Sequence, residues 1–117
     1  MRIAVQGSST FSDYTIFLRA MRTALYSMDA EDKEIMLYAV GPVRLNNMAL
    51  EFSNVSEDSL RGRGIKISCR KMPSSWIKDN IKSIDYFAYF CKPGETVSSL
   101  VDLADESEVS AAVYSYA

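Results

Sequence analysis

Three short segments hold most of the side chains that could handle a charged ligand: Gly7-Ser8-Ser9-Thr10, Gly41-Pro42-Val43-Arg44 with Asn47 close behind, and Pro93-Gly94-Glu95-Thr96. Each pairs a glycine, which lets another group approach the backbone closely, with small hydroxyl or amide side chains able to donate hydrogen bonds. Where such segments lead into helices, unpaired amides and the helix dipole favour an anion such as phosphate or carboxylate. Arg44 adds a guanidinium suited to bidentate contact with phosphate. Bond-breaking chemistry has fewer resources. The chain contains no histidine, which excludes imidazole bases, Ser/His and Cys/His nucleophile pairs and every His-containing metal site. Asp13 and Glu95 are the only carboxylates close to these segments. No catalytic residue, metal ligand or cofactor is therefore assigned.

The elements that must position these segments follow from hydrophobic spacing. Ile3-Ala4-Val5 is an apolar run ended by Gly7, after which Tyr14, Phe17, Leu18, Met21 and Leu25 recur at helical intervals, with Ser12 or Asp13 placed to cap. Residues 35–40 are apolar without alternation, as in a strand covered on both faces. Gly41-Pro42 ends that run, and Leu45, Met48, Ala49 and Phe52 form a second helical stripe. Ile65, Ile67 and Cys69 alternate with polar residues, the pattern of an edge strand. Pro73 then opens a short helix burying Trp76, Ile77, Ile81 and Ile84, and residues 86–91 form another fully apolar strand. A fourth stripe, Val97, Leu100, Val101 and Ala104, begins after Glu95-Thr96, and residues 110–116 make a last strand.

Five strands alternating with four helices predict an α/β domain, one sheet, mainly parallel, with helices on both faces. Strands two and four read as central and strands three and five as edges. Right-handed crossovers then give the order 3-2-1-4-5. Its switch point lies between strands one and four, so the three glycine segments would flank one crevice, where open α/β sheets bind ligands.

Length and charge narrow the classes further. The 117 residues, 48% hydrophobic and 24% charged, suffice for one core, expected as a single domain over residues 1–117. A net charge of −2 gives no overall pull toward nucleic acid or anionic lipid. Cys69 and Cys91 lack metal or redox spacing and read as buried free thiols. With no signal-peptide core and no membrane-length apolar stretch, the expected location is cytoplasmic.

The run Ile3-Ala4-Val5-Gln6-Gly7-Ser8-Ser9-Thr10-Phe11-Ser12-Asp13-Tyr14 resembles the strand and G-S-R-x-F-x-D-Y opening of the SLOG superfamily. That superfamily of Rossmann-like nucleotide-binding domains includes the YspA/YpsA-like proteins, common in bacteria and phages, and the "lonely guy" phosphoribohydrolases. The residues from Gly41 to Ala49 are similar to the family's G-G-A-R-G-A-D-x-x-A loop, and the residues from Phe90 to Thr96 to its glycine-rich loop ending G-T. The resemblance implies a Rossmann-like three-layer sandwich that binds a nucleotide or an NAD-derived, ADP-ribose-type metabolite. The implied ligand-binding residues are Gly7, Ser8, Ser9, Thr10, Gly41, Arg44, Asn47, Gly94, Glu95 and Thr96, with Phe11 as a base-stacking surface. Departures weaken the catalytic side: Ser9 stands in place of Arg, Pro42 and Leu45 in place of glycines, and Asn47 in place of the acid. Ser99 sits where phosphoribohydrolase relatives carry the active-site Glu. These losses predict a non-catalytic module that senses or sequesters its ligand, with a nucleoside monophosphate phosphoribohydrolase-like enzyme as the weaker alternative.

Two other classes stand beside it. One is a protein-interaction or assembly subunit with decayed loops, homo-oligomers included, with Tyr114 and Tyr116 of the last strand as contacts. The other is nucleic-acid binding through Arg61, Arg63, Lys66, Arg70 and Lys71, which the strand alternation reads instead as a solvated edge. The acids Glu95, Asp102, Asp105, Glu106 and Glu108 read as the outer side of the fourth helix, able to dock on that basic surface in an oligomer.

Overall fold

The structure, a computed structural model, describes residues 1–115. Strands β1 (Arg2–Gly7), β2 (Glu34–Ala39), β3 (Lys66–Lys71), β4 (Tyr86–Cys91) and β5 (Ser110–Ser115) alternate with helices α1 (Tyr14–Tyr26), α2 (Val43–Arg61), α3 (Ser74–Asp79) and α4 (Ser99–Glu106). A single 3-10 turn, Ile81–Ser83, follows α3. All strand neighbours pair in parallel in the order β3-β2-β1-β4-β5, the Rossmann-like arrangement expected from burial and crossover handedness. Tyr116, placed by the sequence on the last strand, lies outside the described residues.

Alternation along each strand splits the core into two layers. Ile3, Val5, Leu37, Ala88 and Phe90 face Phe17 and Met21 of α1 and Leu45, Ala49 and Phe52 of α2. Ala4, Phe87 and Tyr89 face Ile77, Ile81 and the α4 residues Leu100, Val101 and Ala104. All six residues of β4 are buried, which explains a strand without polar positions. At the β3 edge Ile67 is buried while Lys66, Arg70 and Lys71 are exposed, so the charges keep other strands from adding there. Arg61 is tied back along α2 to Glu57 at 3.0 Å and Asp58 at 3.3 Å.

Three local expectations change. Trp76 is half-buried rather than core, tilted against Tyr38 with ring centroids 4.8 Å apart. Cys69 is half-buried, Cys91 is buried, and both are free; burial pushes both thiols up. The fourth helix starts later than its apolar stripe suggests: the Ser98 hydroxyl accepts the Leu100 N–H at 3.2 Å, leaving Val97 in the loop and 40% exposed. Among the described residues no helix is long and apolar enough to cross a membrane.

Candidate functional site: the crevice at the carboxyl ends of strands one, two and four

The end of β1 is fastened to both neighbouring strands. Gly7 N–H donates to the Gly41 carbonyl at 3.0 Å, and Ser8 N–H donates to the Phe90 carbonyl at 2.8 Å. These two bonds bring the β1 loop, the start of the β2 loop and the end of β4 to one place, as the switch-point argument requires. Gly7 fits closely: a Cβ there would lie 3.4 Å from Phe11 and 3.5 Å from the Phe90 carbonyl, which leaves little room for a branched side chain. Gly41, at φ +106°, adopts a backbone that other residues rarely take.

The β1 and β4 loops are joined by a carboxylate. Glu95 Oε1 accepts the Lys92 N–H at 2.5 Å, and Oε2 accepts the Thr10 hydroxyl at 3.4 Å. The Thr10 hydroxyl also lies 3.1 Å from that of Ser8. Gly94, at φ +87°, makes the turn that folds Glu95 back over Lys92. The Lys92 backbone N–H, followed by the Ser8 and Thr10 hydroxyls and the Lys92 charge, holds the Glu95 carboxyl below the usual glutamate range despite partial desolvation. Glu95 is therefore part of this loop junction, not of the outer face of α4.

Helix starts around the crevice differ in what they leave open. Asp13 Oδ1 accepts the Thr15 and Ile16 N–H groups at 3.0 and 3.2 Å, closing the start of α1. Ser98 closes α4. Pro42 provides α2 with no side-chain cap, and no acid lies in its first turn. Arg44, in that turn, is exposed and makes no ion pair among the described residues. The α2 start is thus the one of the three where an anion would meet open amides and a cation together.

Of the residues singled out from the sequence, Gly7, Ser8, Thr10, Gly41 and Glu95 are brought into contact. Ser9, Arg44, Asn47, Gly94 and Thr96 are exposed around them. Phe11 is corrected: it is fully buried, stacked on Phe90 with centroids 4.6 Å apart, and Phe90 stacks in turn on Tyr114 at 5.4 Å. An apolar ring flanked by a strand end and a helix finds more contact in the core than at a rim, so Phe11 packs in the core beneath the loops and offers no face to a base. Tyr114, proposed as a surface contact, is partly buried, with its hydroxyl 2.6 Å from that of Tyr86. Burial and that bond push the Tyr86 hydroxyl far above its usual range.

Two groups escape sequence reading. The Lys92 amide is a backbone donor with no side-chain signature. Gln6 Oε1 is buried without a donor one residue before Gly7. The one polar residue between Val5 and Gly7 was its signal. Among the described residues no cluster of Cys, Asp or Glu could hold a metal ion. Comparison with known proteins returns no match at a significant level among family models, curated proteins or solved structures.

Proposed function

We propose that the crevice binds a small ligand through an anionic group, the phosphate of a nucleotide or of an NAD-derived, ADP-ribose-type metabolite, and holds it without turnover as a sensor or sequestering module. The observation that carries this reading is the Glu95 carboxylate, held by the Lys92 N–H and the Thr10 hydroxyl beside Ser8. These donors suit any anion, and the Lys92 N–H with the Ser8 and Thr10 hydroxyls holds the Glu95 carboxyl below its usual range. A ligand phosphate would take the place of the carboxylate, with Arg44 and the uncapped start of α2 as a second contact. The sequence resemblance to SLOG domains supports the nucleotide class. Asp13 is spent on capping α1 and Glu95 on the junction, so among the described residues neither carboxylate of these loops is left free as a general base, which supports binding without catalysis.

The same carboxylate favours a second reading, a protein-interaction subunit whose ligand loops are closed by their own chain. A thermal-shift panel of AMP, ADP-ribose, NAD and cyclic nucleotides, with products checked by chromatography, separates the two. A ligand at a hundred times its dissociation constant adds about 2.7 kcal/mol of stability. Stabilisation that is lost in Arg44→Ala supports the crevice, turnover restores the enzyme alternative, and no stabilisation by any member favours the interaction subunit.

A further inference from the structure

A groove apart from the crevice is lined largely by apolar side chains. It runs between α1 and α2, has a volume of about 470 Å³, and is lined by Leu18, Leu25, Phe52 and Leu60 with Arg22 and Arg63 at its sides. Tyr26, 84% exposed, and Val55, 66% exposed, stand on its two walls. On the α2 side the wall is lowered by Ser56 and Ser59, so a third backbone could come close. No Asp or Glu lines this groove, and neither arginine makes an ion pair among the described residues, whereas nearby Arg61 is neutralised by Glu57 and Asp58.

We infer that this groove receives an amphipathic helix of another protein, with leucine-type residues on the face it buries and carboxylates beside them that pair with Arg22 and Arg63. The occupant follows from shape and charge. Two adjacent helices present ridges between which a third helix packs, with anchors at i, i+4 and i+7. The groove is open to solvent, which suits a helix better than a small molecule needing enclosure on most of its surface. Two unpaired cations and no lining anion select an acidic partner and disfavour a basic one. A second copy of this chain does not meet the need. The same face of another molecule would set arginines against arginines. The acidic α4 has its apolar residues, Leu100, Val101 and Ala104, buried against its own sheet and has no anchors to offer.

The test uses two synthetic helical peptides with the same leucine face, one flanked by glutamates and one by lysines, titrated into the isotopically labelled whole protein and followed by NMR. The glutamate peptide is expected to bind about tenfold more tightly than the lysine peptide and to shift Leu18, Leu25, Phe52 and Val55. In the double variant Arg22→Glu and Arg63→Glu, both changes at exposed positions, the preference is expected to reverse. Val55→Asp, also exposed, is expected to weaken both peptides, and unchanged spectra elsewhere establish that the variants fold. Binding without charge preference, shifts confined to other surfaces, no binding by either peptide, or self-association of the protein through this face would each overturn the inference.

Discussion

The crevice and the α1–α2 groove are opposites in how the chain treats its own charges. In the crevice the donors of two loops already hold an anion, Glu95, and a ligand must compete with it. In the groove two arginines flank the exposed Tyr26 and Val55, and among the described residues neither makes an ion pair and no acid lines the groove itself. At a site filled by its own chain an incoming group gains only the difference between its contacts and those it replaces, so net affinity is reduced. A surface with no group of its own chain to displace spares its partner that competition, although the partner still bears the ordinary entropic cost of association.

The largest expected effect breaks the crevice from below. Phe90 stacks on Phe11 and Tyr114 and lies close to Phe17, and it is fully buried. Phe90→Ala should lower stability by about 3–5 kcal/mol, read by denaturant unfolding. A cost near that of an exposed substitution would show that the core beneath the loops is not rigid. Next, Arg44→Ala should remove about 1.5–3 kcal/mol of ligand affinity in calorimetry, if an anion uses the α2 start, while leaving the acidic peptide's binding to the groove unchanged. Loss of both would mean that the two regions are coupled. Asp13→Ala removes the acceptor of two α1 amides and should cost about 1 kcal/mol in thermal unfolding without altering either surface.

The smallest effect is one of pH, and it sharpens the contrast. Because the Glu95 pKa is lowered on folding, the stabilisation it brings is complete above the ordinary glutamate range and fades as pH falls through the lowered native value. NMR of the Ser8, Thr10 and Lys92 amides should report that acid transition, and groove residues should not. A transition at the ordinary glutamate pH would mean that the carboxylate is not held.

Much of the fold was legible because burial leaves a direct mark. The uninterrupted apolar run from Tyr86 to Cys91 fits a central strand, and the alternation of Ile65, Ile67 and Cys69 fits an edge with one wetter face, and from these the strand order followed. Less of the site was readable. Glycine and hydroxyl spacing located the loops, but a hydrophobic residue in a loop reads alike whether it faces ligand or core, and Phe11 went to the core. The α4 start depended on Ser98, one of several candidate caps. The role of Glu95 needed a positive-φ turn at Gly94 and a backbone amide at Lys92, neither of which spacing reveals. The groove depended on how two helices lie side by side, and no single helix's pattern contains that.

The most direct measurement is a titration of ADP-ribose into the protein and into Glu95→Gln, followed through the Gly7, Ser8, Thr10 and Lys92 amides. Glutamine keeps an acceptor for the Lys92 amide and removes the competing charge. Shifts are expected at these amides in both proteins, with affinity about tenfold tighter in the variant. Unmoved amides in both, or binding weakened by the loss of the carboxylate, would contradict a ligand phosphate taking the carboxylate's place.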